Sequence, residues 1–301
     1  MNKCGCDQLK CLSMLEAVQH TRSNMTSRFN IAVLLATRGR TDNMLGRSIR
    51  SLVENAACPQ QIQLMFAFDD DDQVGLTYFH DHLKPWLEQH HIQFMAMQFR
   101  RMGYINLHKY SNALAKHADA DWLIVWNDDA VMETQDWDQT IANYTGQFKL
   151  LSFRTHRDHP YSIFPIVPRK WYELLGYISP HPTQDGWVSQ QAYMLDIYQR
   201  IEVHVLHDRY DLTGNNNDDV FRNRPMLEGK PTDPNDFHSQ QMINLRHNDC
   251  IKLANHMHSI GMSVEFFQNI FKGTQDPWEK LAENDINSQM MQFKNPHHSL
   301  K

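Results

Sequence analysis

The chain has 301 residues, of which 41% are hydrophobic and 21% are charged, which is the composition of an ordinary globular protein able to bury a full core. Its 29 basic and 35 acidic residues give a net charge of −6, which excludes a global electrostatic attraction to nucleic acid or anionic lipid. No apolar run approaches the length of a membrane span, and the first ten residues lack the apolar stretch of a signal peptide. We therefore expect a cytoplasmic protein whose five cysteines are reduced.

Residues 1–28 are predicted to form a helical segment ahead of the main domain, because residues 8–20 carry leucines at helical spacing. The same segment holds Cys4, Cys6 and Cys11. A reliable zinc site shows paired short spacings and four ligands, whereas this cluster has no evident fourth ligand nearby. A metal at these cysteines is therefore a minor alternative.

Between residues 31 and 126, apolar runs of strand length alternate with segments of helical periodicity. Strands are predicted at residues 31–36, 61–68, 91–99 and 122–126, and helices follow the first three of them. This alternation predicts parallel strands joined by right-handed crossovers, with helices on both faces of the sheet. The predicted fold class is therefore α/β.

The second half of the chain is predicted to complete the sheet and to end in helices. Strands are expected at residues 150–153, 161–167 and 201–207, and helices at residues 168–176 and 186–198. After a linker near residue 230, apolar spacing indicates further helices around residues 242–253 and 264–271. We expect this tail to pack on the sheet or to mediate self-association.

Polar residues follow each of the first four predicted strands, at positions 37–40, 69–72, 100–106 and 127–129. Because the carboxyl ends of parallel strands meet at one edge of a sheet, we expect these segments to lie close together. Acids after two strands, with basic and hydroxyl groups after the other two, suit a divalent cation that bridges the phosphates of a nucleotide. The chain has neither the G-x-x-x-x-G-K-[ST] nor the G-x-G-x-x-G phosphate-binding pattern, so side chains and a metal would have to bind the nucleotide.

Four motifs in this order resemble a family 2-type glycosyltransferase with the GT-A fold, a nucleotide-diphospho-sugar transferase. They are the loop at 37–40, the acids Asp69 and Asp70, the segment 106–118 and the tripeptide at 127–129. The resemblance covers residues 29–224 and implies a GT-A-like, Rossmann-like mixed sheet that is mainly parallel and flanked by helices. It leaves residues 225–301 as a helical C-terminal extension, and it implies Mn²⁺ or Mg²⁺ as the cofactor.

The resemblance also implies roles for individual residues. The residues that it implies for binding of the nucleotide donor are Thr37, Arg38, Arg40, Asp69, Asp70, Asn106, Lys109, Asn127, Asp128 and Arg209. The last acid of the tripeptide, Asp129, matches the metal-binding acid of the family's D-x-D motif. His207, which ends a predicted strand before a loop rich in Gly, Asn and Asp, resembles the late metal-ligating histidine. Asn127 replaces the first acid of that motif, which reduces the negative charge at the metal by one.

Asp185 is the candidate catalytic base, because the family's base lies at the start of a helix downstream of the metal motif. Inverting transfer needs a carboxylate that removes the proton of the acceptor hydroxyl as this hydroxyl attacks the anomeric carbon. A helix N-terminus favours the ionised form of Asp185. The alternative interpretation is that Asp185 is only a helix N-cap.

The predicted function is metal-dependent transfer of a hexose or pentose from a nucleotide donor to an acceptor hydroxyl. An acid at the position of Asp69 resembles the uridine readers, so a UDP-sugar is the expected donor. The acceptor is a saccharide, a protein or a modified base in DNA, and hydroxymethylated pyrimidine in viral DNA would place the protein in the host cytoplasm. A catalytically inactive nucleotide-sugar-binding module is the alternative from another class, and a nucleotidyltransferase is a third. A homo-oligomer formed through the C-terminal helices is also expected.

Overall fold

The computed structural model describes residues 29–155, 161–208 and 234–262. The predicted N-terminal segment with its three cysteines, Arg209 and the helix expected around residues 264–271 lie outside the described residues. The strands are β1 (Phe29–Thr37), β2 (Ile62–Asp69), β3 (Gln93–Phe99), β4 (Ala120–Trp126), β5 (Ala130–Met132), β6 (Leu150–Thr155), β7 (Ile166–Pro168) and β8 (Tyr198–His207). They form one sheet in the order β3-β2-β1-β4-β7-β6-β8-β5.

The first half of the sheet is parallel, as the alternation of strands and helices predicts. Strand β1 pairs in parallel with β2 and β4, and β2 pairs in parallel with β3. Side chains of β1 enter the core on both faces, since Ile31, Val33 and Leu35 belong to one buried cluster and Ala32 and Leu34 to the other. This two-sided burial explains why the strand is a continuous apolar run instead of an alternating one.

The second half of the sheet is mixed. Strand β7 is antiparallel to β4 and to β6, β5 is antiparallel to β8, and β6 is parallel to β8. The expected α/β fold with a mixed sheet flanked by helices is therefore confirmed. The short strand β5 was not predicted, because three residues are too few to show a periodicity.

The strand predicted at 161–167 and the helix predicted at 186–198 have clearly different limits in the structure. The strand expected at 161–167 begins only at Ile166, because the N–H of Ser162 donates to the Ser189 hydroxyl at 2.9 Å and is not in a strand ladder. The helix expected at 186–198 spans Gln184–Met194. It ends there because Asp196 adopts the left-handed conformation, with φ at 55°, and β8 follows at once.

Helices cover both faces of the sheet. They are α1 (Arg47–Glu54), α2 (Gln73–Tyr78), α3 (Lys84–Gln89), α4 (Leu107–His117), α5 (Trp137–Ala142), α6 (Arg169–Leu175), α7 (Gln184–Met194) and α8 (Gln240–Ser259). A π-helical turn, Asp42–Gly46, leads into α1, and another, Phe79–Leu83, joins α2 to α3. The side chains of α1, α2, α3 and α5 share one buried cluster with the sheet, and those of α4, α6, α7 and α8 share the other. The described part of the chain is therefore a three-layer α/β/α structure.

The C-terminal helix α8 packs mainly against α6 and α7. Helices α6 and α7 in turn contact strands of the sheet, and the buried side chains of α8 belong to the same cluster as side chains on that face of the sheet. The apolar side of α8 is packed against the protein, since Cys250, Leu253, Ala254 and Met257 are buried. No helix in the described ranges is long and apolar enough to cross a membrane.

Candidate active site

The loops after β1 and β2 are tied to each other by side-chain contacts. Nη1 of Arg38 donates to Oδ2 of Asp69 at 2.9 Å, and the guanidinium also bonds the Asp71 carboxylate. The backbone N–H of Gly39, at a φ of 65° that favours glycine, donates to Oδ2 of Asp72 at 2.8 Å. These contacts tie the two loops together at the carboxyl edge of the sheet; we call this edge the candidate cleft and the two loops its first wall.

Asp69 is buried at this wall, with an exposed fraction of 5%, and it has a second partner that the sequence analysis missed. The hydroxyl of Tyr110 donates to Oδ1 of Asp69 and accepts the backbone N–H of Met102 at 2.9 Å. Burial and the neighbouring Asp69 carboxylate raise the pKa of Tyr110 to about 12, so the hydroxyl remains a donor. Tyr110 belongs to the predicted segment 106–118, but its place on α4 gave no reason to select it over its neighbours.

The other predicted donor residues near this wall have local roles. Asn106 donates from Nδ2 to the carbonyl of Met102 at 2.8 Å and so closes the turn before α4. Lys109 follows on α4 and is exposed. Asp70 is exposed, and its Oδ1 accepts the N–H of Arg101 at 3.3 Å.

The end of β4 is joined to the loop after β1. The hydroxyl of Thr37 donates to Oδ2 of Asp128 at 2.7 Å, and Nε of Arg40 lies 3.5 Å from Oδ1 of the same carboxylate. A second contact holds the backbone of the tripeptide, because the hydroxyl of Ser48 donates to the carbonyl of Asn127 at 3.4 Å. Ser48, which the sequence analysis did not select, also accepts the indole N–H of Trp126 at 2.9 Å.

Asp129 and His207 lie side by side. Strands β5 and β8 pair so that Ala130 is opposite His207, and the N–H of Asp208 donates to the carbonyl of Asp129 at 2.8 Å. Nε2 of His207 is 3.4 Å from Oδ1 of Asp129, and the two residues are only 2% and 8% exposed. Phe164 packs against the imidazole edge to face, with a centroid distance of 5.1 Å. The antiparallel pairing of the two strands therefore brings together the two predicted metal ligands.

The donor set of this pair fits a divalent cation. Within the described ranges, neither ring nitrogen of His207 has a hydrogen-bond partner, although both are buried. A buried imidazole without partners is costly, and a metal ion would satisfy it. No group of three or more His, Cys, Asp or Glu residues that could hold a metal occurs in the described part of the chain. Substrate phosphates and water are the usual further ligands of a divalent cation that is held by one or two protein side chains.

Asp208 follows His207 directly and connects the cleft to helix α1. Its carboxylate forms an ion pair with the guanidinium of Arg47. The side chain of Asp208 is 15% exposed, whereas that of Arg47 is 42% exposed. The pair therefore anchors the end of β8 to the rim of the cleft.

Asp185 lies in the first turn of α7 and is half-buried. The helix N-cap is Thr183, so the alternative interpretation of Asp185 as the N-cap is wrong. Helix α7 packs on β6 and β8, and residues 195–197 reverse the chain between α7 and β8. The start of α7 and the end of β8 therefore point toward the same edge of the sheet.

No family model matches the chain, and no curated protein sequence is detectably related to it. Among solved structures, a mannosyltransferase from Pyrobaculum calidifontis in complex with GDP-Man and Mn²⁺ is similar at 11% identity and a TM-score of 0.49, over 86% of this chain and 80% of that one. TarS from S. aureus in complex with UDP-GlcNAc matches at 11% identity and a TM-score of 0.49, over 81% and 76%. GalNAc-T7 with UDP, GalNAc and Mn²⁺ matches at 10% identity and a TM-score of 0.47, over 61% and 44%.

Proposed function

We propose that this chain is a metal-dependent glycosyltransferase of the GT-A type, which moves a sugar from a nucleoside diphosphate to an acceptor hydroxyl. The observation that carries the proposal is the contact between Asp129 and His207, two buried ligand-type side chains at the carboxyl edge of the sheet. Each comes from a different strand end, and the imidazole is otherwise unsatisfied in the described part of the chain. A carboxylate and an imidazole together favour Mn²⁺ over Mg²⁺, because Mg²⁺ prefers oxygen ligands alone.

The cleft wall formed by the loops after β1 and β2 is proposed to hold the nucleoside. Asp69 is held between Arg38 and Tyr110, so its carboxylate is oriented and can accept a further hydrogen bond from a base or a ribose. Thr37 and Arg40 hold Asp128 in turn beside the proposed metal ligands. The donor would thus lie along an edge that contacts within the protein have already ordered, which lowers the entropic cost of binding.

In the proposed reaction, Asp185 accepts the proton of the acceptor hydroxyl. The hydroxyl oxygen forms a bond to the anomeric carbon, and the bond from this carbon to the nucleoside diphosphate breaks, with inversion at the carbon. The first turn of α7 favours the ionised carboxylate, which keeps Asp185 ready to take the proton. A bound divalent cation would stabilise the negative charge of the departing diphosphate.

The test is a donor screen. The protein is incubated with Mn²⁺, a panel of nucleotide sugars and a panel of acceptors, and release of nucleoside diphosphate is measured. We expect release with a UDP-sugar, and we expect it to be lost in Asp129→Ala together with Mn²⁺-dependent donor binding. We expect Asp185→Asn to bind donor and Mn²⁺ like the wild type and to lose transfer, and retained transfer would remove Asp185 as the base.

The other outcomes of this screen separate the remaining hypotheses. Donor binding without turnover, after saccharide, protein and hydroxymethylated DNA acceptors have all been tried, would indicate a catalytically inactive nucleotide-sugar-binding module. Transfer only to hydroxymethylated pyrimidine in DNA would indicate a DNA-modifying enzyme. Pyrophosphate as the product, in place of nucleoside diphosphate, would indicate a nucleotidyltransferase.

A further inference from the structure

Arg246 is a buried cation at the centre of the contact between α8 and the rest of the protein. Its exposed fraction is 1%, and its guanidinium lies over the rings of Trp187 and Phe237, at 4.8 and 4.2 Å from their centroids. Nη2 of Arg246 also donates to the carbonyl of Phe237 at 2.9 Å. A buried charge is costly unless its surroundings compensate it, so these contacts hold the guanidinium in one defined place.

The same aromatic ring of Phe237 packs on the start of α7. A Cβ atom at Gly186 would lie 3.1 Å from Cζ of Phe237, so the ring rests directly on the helix backbone at the residue after Asp185. On the other side of Asp185, the ring of His181 packs against Phe237 at 5.3 Å. Phe237 therefore covers the chain both before and after the proposed catalytic base.

Helix α8 also holds the middle of α7 through a buried carboxylate. Asp249 is 0% exposed, and the hydroxyl of Tyr177 lies 2.7 and 2.9 Å from its two oxygens. Nε2 of Gln191, on α7, donates to Oδ2 of Asp249 at 3.2 Å. Burial raises the pKa of Asp249, while the hydrogen bonds and Lys252 act in the opposite direction. A cation–π contact of Arg246 with Trp187 near Asp185 and a hydrogen bond of Asp249 with Gln191 further along the helix thus connect α8 to α7.

We propose that Arg246 and Phe237 are positioning residues that fix the first turn of α7, and with it the carboxylate of Asp185. The C-terminal helix would then be a part of the acceptor side of the active centre and not an independent appendage. This inference rests on the proposed function, because it takes Asp185 to be the base. It depends on the planar guanidinium, which stacks on both rings while it donates to a carbonyl; a lysine ammonium cannot reproduce this arrangement.

The kinetic test compares Arg246→Lys and Arg246→Met with a control, Lys252→Met. Lys252 lies on the same helix, with its ammonium 3.8 Å from Asp249, but its side chain is 52% exposed. We expect kcat for transfer in both Arg246 variants to fall by about 10- to 100-fold, the usual effect of misplacing a catalytic group by about 1 Å. KM for the donor and the Mn²⁺ dependence should stay within about twofold of the wild type, since neither ligand contacts α8 in this proposal. The control should behave like the wild type.

Hydrogen exchange supplies a measurement that does not depend on turnover. In the Arg246 variants, we expect the amides of residues 187–190 to exchange at least about tenfold faster, while those of β1 and β4 keep their protection. If the wild type transfers no sugar, the proposed function fails, whereas the exchange result still decides whether Arg246 holds the start of α7. Unchanged kcat in the Arg246 variants, or unchanged exchange at the start of α7, would overturn the inference. Loss of protection throughout the sheet in both variants would also overturn it, because Arg246 would then support the whole fold.

Discussion

Replacement of Asp129 by asparagine distinguishes two interpretations of its contact with His207, as a pair of metal ligands or as a structural ion pair. Asparagine keeps the size of the side chain and removes its charge, and Asp129 is 8% exposed with its Oδ1 3.4 Å from Nε2 of His207. If the two side chains formed a structural ion pair, breaking it would cost about 3–5 kcal/mol of the free energy of unfolding. If the two side chains are metal ligands, Asp129→Asn without metal should lose less than about 1 kcal/mol of the free energy of unfolding, because the substitution also removes a buried charge.

Stabilisation by Mn²⁺ should be large in the wild type and nearly lost in Asp129→Asn. A ligand present at 100 times its Kd raises the free energy of unfolding by about 2.7 kcal/mol, which is about 5–11 °C in Tm for a domain of this size. Asp129 is one of two protein ligands in the proposed site, and its loss should weaken Mn²⁺ binding by at least about 100-fold. The same Mn²⁺ concentration would then add only about 0.4 kcal/mol to the variant.

The assay is thermal unfolding of the wild type and Asp129→Asn, with and without Mn²⁺, in the presence and absence of UDP. The matched control is Glu202→Gln, since Glu202 lies on the same strand as His207 but is exposed and pairs with Arg154. We expect the control to keep the full Mn²⁺ shift. A large loss of metal-free stability in Asp129→Asn, together with an unchanged Mn²⁺ shift, would refute the assignment of Asp129 and His207 as metal ligands.

Three further predictions concern residues around the cleft and the sheet. Tyr110→Phe should weaken UDP binding by about 5- to 30-fold in calorimetry, because it removes a hydrogen bond of about 1–2 kcal/mol that orients a buried carboxylate. Mn²⁺ binding without nucleotide should not change. Burial, with smaller contributions from Lys109 and His181, lowers the pKa of His108 to about 4. The unfolded protein therefore binds this proton more readily, and the free energy of unfolding should fall as the pH drops from 6.5 toward 4. In urea unfolding, His108→Phe should show a smaller fall than the wild type, and an equal fall would contradict this assignment. Asp138→Ala should lower the free energy of unfolding in urea by about 2–4 kcal/mol, because the carboxylate of this buried residue accepts two backbone N–H groups at 2.8 Å. A loss below about 1 kcal/mol would show that water takes over the two hydrogen bonds of the carboxylate.

Hydrogen bonds between the loops that follow the strands orient the polar side chains of the cleft before a nucleotide binds. Arg38, Thr37 and Gly39 each bond a carboxylate from another loop, so most of the donor-side polar groups are already oriented without a nucleotide. A nucleotide must therefore compete with, or add to, existing hydrogen bonds. Specificity in such a site depends on which donors and acceptors stay unsatisfied when the wrong base is bound.

The sequence by itself determined the architecture and the edge of the sheet where polar groups gather. The apolar runs of β1, β2 and β4 are local patterns, and burial on both faces of a parallel sheet requires them wherever such a strand occurs. The acids that follow β2 and β4 are equally visible, because a charge directly after a buried strand has to lie at an edge. Asp129 and His207 were selected through the resemblance of their segments to a known family, without evidence that they meet.

Only the tertiary structure decided which side chains meet. The distance between Asp129 and His207 is set by the antiparallel pairing of β5 with β8, and β5 is too short to have a periodicity in the sequence. Tyr110 and Arg246 were not selected because a buried tyrosine or arginine on a helix gives no pattern; their roles depend on partners that are distant in the chain. Periodicity reports which face of an element is buried, whereas hydrogen bonds and ring contacts between elements depend on the packing of the whole fold.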